Sequence, residues 1–294
     1  MVPERLRLDD RVALVFGAGG GGMGTHTALA LAEAGATVVG VDLNDEKVRD
    51  TEQRIAAVGG RFLGVTANVR DRGVIDEVVA QAVAEFGGID HLVNLVGGVR
   101  FSSASGSGSG ASWRLTHEVD DELFEALVDL NFSYVFRSCR AVIAQMIEQG
   151  RGGSIVNFGS ISALNAAPYQ SIYGAMKAGV QSLTRTLANE MGQFDIRVNC
   201  VVPGSVPAPD QVATNAGAAG LTNDRAIQRA PLGRRVDPSE IAGAVLFLLS
   251  DLSGGITGQC IPVDVGASTN HPNGSQHDFA QTAAAYQSRA AAAG

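Results

Sequence analysis

Tyr173 and Lys177 lie four residues apart, a spacing that places both side chains on the same face of a helix. A free tyrosine has a pKa of about 10, and a fixed positive charge nearby lowers that pKa toward the neutral range. Tyr173 is therefore a candidate general acid/base. Ser160 follows an apolar run and is predicted to stand where a buried strand ends, ready to hydrogen-bond a carbonyl or hydroxyl oxygen. Because the Tyr/Lys spacing also occurs on helices where it serves only packing and solvation, the rest of the chain decides between these interpretations.

A run of glycines follows the first predicted strand and leads into a helix that begins near Thr25. This order suits a dinucleotide site, because glycines let the backbone approach a pyrophosphate and the helix N-terminus supplies amide donors. Asp42 closes the second predicted strand, where a carboxylate accepts hydrogen bonds from the adenosine ribose and repels a 2′-phosphate. Neither Leu43 nor Asn44 offers that phosphate a positive charge, so the predicted cofactor is NAD. The structural alternative is an ordinary turn followed by a solvated aspartate. The predicted nucleotide contacts of this region are Gly17, Gly21, Gly22, Met23, Gly24, Asp42 and Leu43.

The composition narrows the classes of partner. The net charge of −8 carries no basic stripe, so neither nucleic acid nor an anionic membrane surface is an expected partner. Three cysteines without metal-ligand spacing, Cys139, Cys200 and Cys260, predict buried structural thiols and no metal site. The charged N-terminus and the lack of an apolar run approaching 18 residues predict a cytoplasmic protein.

Short β-branched runs alternate with longer segments of helical period, the pattern of βαβ units. It predicts an α/β fold, a Rossmann-like doubly wound sheet of about seven parallel strands with helices on both faces. The predicted strands are 12–16, 37–41, 61–66, 91–95, 154–158, 197–202 and 260–263, and the clearest predicted helices are 23–34, 45–58, 72–86, 120–149, 171–193 and 238–249. Three segments fall outside the alternation: a Gly/Ser tract at 102–112, a long connection at 205–230 and an Ala-rich tail at 269–294.

Several further positions follow in a fixed order along the chain. They are Asn94, Gly97, Asn131, Ser160, Tyr173, Lys177, Pro203 and Gly204. With the glycine turn and Asp42, this series resembles the short-chain dehydrogenase/reductase family of single-domain type, over about Arg11 to Gly266. The resemblance implies that Tyr173 transfers the proton, while Lys177 lowers the pKa of Tyr173 and binds the nicotinamide ribose. It also implies that Ser160 polarises the substrate oxygen and that Asn131 holds a water linking Lys177 to solvent.

The resemblance implies further cofactor contacts, but several positions of this chain depart from the family pattern. The implied contacts are Asn68, Val69, Asn94, Gly97, Tyr173, Lys177, Pro203 and Val206. Phe16 replaces the usual threonine before the first glycine, the glycine turn has one extra residue, and Asn68 replaces the aspartate that normally meets the adenine amino group. An amide oxygen accepts the same hydrogen bond. Pro207 and Ala208 stand where a cofactor-binding threonine is usual.

The predicted activity is that of a NAD-dependent oxidoreductase interconverting a secondary alcohol and a ketone. The alternative is a non-catalytic nucleotide-binding protein of the same fold, which would not need all of the Asn, Ser, Tyr and Lys positions. Apolar residues near the expected pocket suggest a mainly apolar, small-molecule alcohol or ketone; they are Val99, Phe101, Trp113, Ala163, Leu164, Ala166 and Pro168.

The predicted domain organisation is one NAD-binding domain at 1–268 and a C-terminal extension at 269–294. The connection at 205–230 is predicted to be a substrate lid, and the tract at 102–112 to border the same cleft. Members of the family are commonly homo-oligomers, so a tetramer or dimer is expected. Aromatic residues at near-helical spacing in the tail predict either a short helix docked on that assembly or a frayed terminus.

Overall fold

The computed structural model describes residues 3–102, 109–111, 114–207 and 230–269. Most of the predicted lid and the tail from residue 270 onward lie outside these ranges, as do Trp113 and the middle of the Gly/Ser tract. The strands are β1 (Val12–Phe16), β2 (Thr37–Asp42), β3 (Arg61–Thr66), β4 (His91–Asn94), β5 (Arg100–Ser102), β6 (Ser109–Ala111), β7 (Gly153–Phe158), β8 (Ile196–Pro203) and β9 (Cys260–Val263). The α-helices are α1 (Met23–Glu33), α2 (Asp45–Ala57), α3 (Val74–Phe86), α4 (Asp121–Val128), α5 (Tyr134–Gln149), α6 (Ser171–Met191) and α7 (Pro238–Leu249).

Seven parallel strands form one sheet in the order β3-β2-β1-β4-β7-β8-β9. Different helices cover its two faces. Successive side chains of a strand point to opposite faces, so alternate residues of one strand pack against different helices. In β1, Leu14 and Phe16 pack in the cluster that holds buried residues of α3, α5 and α6. Ala13 and Val15 pack in the cluster that holds residues of α1, α2 and α7. The predicted fold class is therefore confirmed.

Successive strands are added to one side of β1 up to β3 and to its other side from β4 onward, so the winding direction of the sheet reverses at β1. Because β1 pairs with both β2 and β4, the chain leaves all three strands at the same edge of the sheet. In such sheets ligands bind at the carboxyl ends of the strands, where the winding direction reverses. Among the described residues, no helix is both long enough and apolar enough to cross a membrane.

Two sequence predictions of secondary structure were wrong. The helix predicted over 120–149 is divided, because α4 ends at Val128, a π-helical turn runs from Asp129–Ser133, and α5 begins at Tyr134. Helical composition over the whole segment does not reveal such a turn, because π-helical turns occur mostly as single turns inside α-helices. The tract at 102–112 was not among the predicted strands, yet Ser109–Ala111 within it forms β6, which pairs antiparallel with β5.

His91 lies at the opposite edge of the sheet and makes stability depend on pH. Its ring is 6% exposed, and both ring nitrogens are buried without a hydrogen-bond partner in the part of the chain that the structure describes. Burial lowers the pKa of His91 to about 4 against the attraction of Asp90, with Arg11 and Arg197 lowering it further and Asp251 opposing them. The unfolded chain binds this proton at a pKa of about 6.5.

We expect the free energy of unfolding to fall between about pH 6.5 and pH 4, because there the unfolded chain binds a proton that the folded chain does not. The contribution of His91 is on the order of 3 kcal/mol, at about 1.4 kcal/mol per unit of pKa. Urea unfolding of the wild type and of His91→Leu at several pH values measures this contribution of His91 to the free energy of unfolding. The variant should lose less stability in acid, and parallel pH profiles for the two proteins would contradict this assignment.

Candidate active site

The glycine turn between β1 and α1 is shaped by close backbone contacts. A Cβ atom at Gly24 would lie 1.7 Å from the carbonyl oxygen of Gly17, so α1 approaches the end of β1 more closely than any side chain allows. Gly17 has a φ of 94°, and its amide donates to the Val41 carbonyl of the neighbouring strand at 2.7 Å. Gly21 also has positive φ, and its amide donates to the Thr25 hydroxyl at 2.9 Å. The outer face of the turn therefore consists of backbone atoms, as a pyrophosphate site requires.

Asp42 and Lys47 flank this turn with opposite charges. The amide of Gly19 donates to Asp42 Oδ2 at 3.1 Å, so the carboxylate at the end of β2 is fixed against the turn. Lys47, in the first turn of α2, carries its Nζ to within 3.6 Å of the position that a Cβ of Gly20 would take. An ammonium placed there can reach a phosphate bound on the turn. Sequence reasoning missed Lys47 because it searched for a cation only in the two residues after Asp42.

Ser160, Tyr173 and Lys177 come together at the carboxyl end of β7. Ser160 caps a short 3₁₀ turn, where its Oγ accepts a hydrogen bond from the amide of Ser162 at 3.1 Å. Lys177 is 3% exposed and donates from Nζ to the carbonyl of Phe158 at 2.9 Å. The same Nζ lies 5.8 Å from the centroid of the Tyr173 ring, which places the phenol and the ammonium on one face of α6.

Burial controls the ionisation of this pair. It lowers the pKa of Lys177 to about 8, because a buried ammonium loses its hydration. It also raises the pKa of Tyr173, and the hydroxyl of Ser160 offsets only part of that rise. This direction is opposite to the one expected from the charge of Lys177, because desolvation is the largest effect on the phenol and the ammonium donates to the Phe158 carbonyl instead of to the phenol. Tyr173 consequently holds its proton at neutral pH.

The π-helical turn between α4 and α5 positions Asn131. Its side chain is fully buried, donates from Nδ2 to the carbonyls of Leu127 and Gly98, and accepts the amide of Gly98 on Oδ1 at 2.8 Å. A Cβ at Gly97 would lie 2.9 Å from Asn131 Oδ1 and 2.9 Å from Lys177 Nζ, so the two groups converge on one point beside the backbone. π-Helical turns often occur at functional sites, where they re-aim one side chain.

The other predicted cofactor residues lie along the same edge of the sheet, in differing roles. Asn94 is fully buried, and its side-chain amide contacts Asn157 and Ser138 within the core. Asn68 donates to Asp71 at 3.0 Å, Val69 packs in the core, and Leu43 is 61% exposed. Met23 and Val206 pack against the core cluster under α1, while Pro203 ends β8.

A small cavity opens beside Tyr173, and most of the residues that line it were not predicted from the sequence. It is lined by Val99, Val119, Leu127, Tyr169, Gln170, Ser171, Ile172 and Tyr173. Tyr169 is half exposed with a φ of 67°, a left-handed conformation that costs a residue with a side chain about 1 kcal/mol or more and is often found at functional sites. The aliphatic side chains of this lining are accompanied by polar groups on Tyr169, Gln170, Ser171 and Tyr173.

Comparison with known proteins agrees with this geometry. The family model described as Enoyl-(Acyl carrier protein) reductase matches residues 17–268, which include the glycine turn, the Ser160–Tyr173–Lys177 group and β9. The chain belongs to the short-chain dehydrogenase/reductase family. Its seven-stranded parallel sheet is the Rossmann-like fold of that family.

Oxidoreductases of the short-chain dehydrogenase/reductase family are similar to this chain over most of its length. The 3-oxoacyl-(acyl-carrier-protein) reductase FabG of Thermotoga maritima is 36% identical, covering 89% of this chain and 99% of the relative. The 2-dehydro-3-deoxy-D-gluconate 5-dehydrogenase of Dickeya dadantii is 34% identical, covering 90% and 98%. A crystal structure of gluconate 5-dehydrogenase from Burkholderia cenocepacia in complex with NADP and tartrate aligns with a TM-score of 0.80 at 30% identity, covering 91% and 99%.

Proposed function

We propose that this protein is a NAD-dependent oxidoreductase that interconverts a secondary alcohol and a ketone. The observation that carries the proposal is the buried Lys177, which is 3% exposed and carries its Nζ 5.8 Å from the centroid of the Tyr173 ring. Burying an ammonium costs free energy, and here its hydrogen bond goes to one backbone carbonyl instead of a carboxylate. A protein that only bound a nucleotide would not need Asn131, Ser160 and Tyr173 beside that lysine, so the arrangement favours catalysis over the non-catalytic alternative.

The residues present fit a dinucleotide at the cleft. The proposed contacts are the glycine turn for the pyrophosphate, Asp42 for the adenosine ribose, Asn68 and Val69 for the adenine, and Asn94, Gly97, Tyr173, Lys177, Pro203 and Val206 toward the nicotinamide. The absence of a side chain at Gly97 is the feature most important for this fit, because a side chain there would fill the point where Asn131 and Lys177 converge. When bound, the nicotinamide accepts or donates the hydride.

The chain's own residues move the proton. Tyr173 donates its hydroxyl proton to the substrate oxygen during reduction and accepts it during oxidation, while the Ser160 hydroxyl orients that oxygen. Because burial raises its pKa, Tyr173 holds at neutral pH the proton that reduction requires. Lys177 holds the ribose beside Tyr173. Asn131 Oδ1 keeps one acceptor position beyond its bond from Gly98, where a water molecule can link Lys177 to solvent.

Deuterium transfer tests the activity without knowing the substrate. The protein is incubated with NADH deuterated at C4 and a mixture of keto acids, sugar-derived ketones and cyclic ketones, and the products are analysed by mass spectrometry. The expected result is deuterium at a carbinol carbon in one product class with the wild type and none with Tyr173→Phe. Saturable NADH binding with no label transferred to any product class would favour the nucleotide-binding alternative.

Asp42 is expected to set the preference for NAD. A like charge facing a 2′-phosphate costs on the order of several kcal/mol, so kcat/KM should be much higher with NAD than with NADP. Asp42→Ala should narrow that gap by raising kcat/KM with NADP, because Lys47 remains as a cation beside the turn. Kinetics with both cofactors measure the effect, with Lys47→Gln as the matched variant that should widen the gap. Equal or better efficiency of the wild type with NADP would reject the NAD assignment.

The location and assembly of the protein remain proposals. We propose a cytoplasmic homo-oligomer, a tetramer or a dimer, with residues 1–268 as one domain. The roles assigned to the lid at 205–230 and to the tail at 269–294 concern residues that lie mostly outside the described ranges.

A further inference from the structure

Two cysteines face each other across the last two strands of the sheet. Cys200 of β8 and Cys260 of β9 are partners in the parallel register, so their side chains leave the same face of the sheet at the same level. Neighbouring strands lie about 4.8 Å apart. Cα atoms joined by a disulfide usually lie about 4.4–6.8 Å apart, so the spacing of the two strands is compatible with a bond between the two sulfurs.

The two thiols differ in access and in ionisation. Cys260 is partly exposed on the edge strand β9, and a guanidinium nitrogen of Arg185 lies 3.8 Å from its sulfur. A hydrogen bond from Cys200 and the charge of Arg185 lower the pKa of Cys260 to about 7. Cys200 is fully buried, and the pKa of its thiol is raised by the same hydrogen bond and by burial. One thiol is therefore a nucleophile at neutral pH and the other is its protonated neighbour.

We propose that Cys260 and Cys200 form a thiol-modification site that reacts with low-molecular-weight disulfides and closes to an intramolecular disulfide between β9 and β8. The Cys260 thiolate attacks one sulfur of the reagent, forms a mixed disulfide and expels the first thiolate. The Cys200 sulfur then attacks the Cys260 sulfur, and its proton leaves with the second thiolate. Two cysteine thiols are oxidised, and one disulfide is reduced to two thiols.

The third cysteine shows that these features are specific to the pair. Cys139 is 1% exposed, and burial raises the pKa of its thiol to about 12. Its sulfur contacts the amide groups of Asn94 and Asn157 in the core instead of another thiol. Cys139 has neither the access nor the partner that the exchange requires, so it serves as the internal control.

The modified pair would lie next to the end of β7, the strand that precedes Ser160. The Cys200 sulfur is 3.1 Å from the position that a Cβ of Gly159 would take, directly before Ser160 in the chain. The carbonyl of Gln181 accepts from the Cys260 thiol at 3.9 Å, and the side chain of Gln181 donates to the Ser160 carbonyl at 3.5 Å. Closing the disulfide moves the Cys200 sulfur toward β9, and so changes the packing under Gly159.

Intact-mass spectrometry after incubation with oxidised glutathione tests this site. The full-length wild type, Cys260→Ser, Cys200→Ser and Cys139→Ser are reduced, freed of reductant and treated at pH 7.5. A thermal melt beforehand shows that each variant is folded, and Cys200→Ala provides a second substitution if the serine is not tolerated in the core. Peptide mapping without reduction then locates the bond.

The wild type and Cys139→Ser should each lose two hydrogen atoms, retain no glutathione and give one peptide that joins Cys200 to Cys260. Cys200→Ser should stop with one glutathione attached at Cys260, and Cys260→Ser should remain unmodified. The proposal is overturned if the folded wild type stays reduced, or if it accumulates the mixed disulfide without closing it. Modification of Cys260→Ser at the wild-type rate would also overturn it, since another thiol would then be the nucleophile.

Discussion

Tyr173→Phe is expected to lower the turnover number by a factor of about 10² to 10⁴ while leaving the affinity for NAD nearly unchanged. The substitution removes only the hydroxyl group, and the ring keeps its position on α6 next to Lys177. The lost group is the one that burial keeps protonated, within reach of the Ser160 hydroxyl. Steady-state kinetics on the substrate class found by deuterium transfer give the rate, and titration with NAD gives the affinity.

Tyr169→Phe is the matched control for Tyr173→Phe. It removes a phenolic hydroxyl from the same cavity, four residues earlier, on a half-exposed side chain. If Tyr173 is the proton donor, the control should keep the wild-type turnover number and change at most the KM. Retention of more than about a tenth of the wild-type rate by Tyr173→Phe would reject the acid/base assignment, because proton transfer by a positioned group contributes far more.

The architecture could be predicted from the sequence because the strands of the large sheet are short and rich in β-branched residues, and five of them, β1, β2, β4, β7 and β8, are mostly buried. Three strands, β1, β3 and β9, have the bounds that were predicted, and the shifted ends of β2, β4, β7 and β8 each move by one residue. Parallel strands buried on both faces appear in sequence as nearly continuous apolar runs, which alternate with helical segments. The positions of Ser160, Tyr173 and Lys177 follow from that alternation, since two of them lie one helical turn apart and the third follows a strand.

The sequence could not predict features that depend on contacts between distant residues. The π-helical turn that aims Asn131 is stabilised by the backbone of Gly98, 33 residues away. The raised pKa of Tyr173 depends on how far α6 is buried, which composition does not reveal. Lys47 reaches the glycine turn only because α2 begins beside it. The pairing of Cys200 with Cys260 requires the order of the last two strands, because the two residues are 60 positions apart in the chain.

Gly24→Ala is expected to abolish NAD binding and to lower the free energy of unfolding by about 1–3 kcal/mol or more. The new Cβ would lie 1.7 Å from the Gly17 carbonyl oxygen and 2.9 Å from the carbonyl carbon, and both atoms belong to backbone that cannot rotate away. Either α1 or the glycine turn must therefore move. Each movement withdraws the amide groups of the turn from the position where a pyrophosphate would bind. Fluorescence titration with NAD well below the melting temperature separates lost binding from lost folding.

Gly243→Ala is the control for Gly24→Ala, since it makes the same chemical change in α7 at a position where the new Cβ meets nothing within 4 Å. Alanine at an exposed helical position stabilises by roughly 0.5–1 kcal/mol relative to glycine, so this variant should melt slightly higher and bind NAD as the wild type does. A Gly24→Ala protein with unchanged NAD affinity would show that the turn tolerates a side chain. The pyrophosphate would then have to bind elsewhere along the cleft, and the assignment of Gly17, Gly21 and Gly22 as cofactor contacts would be lost with it.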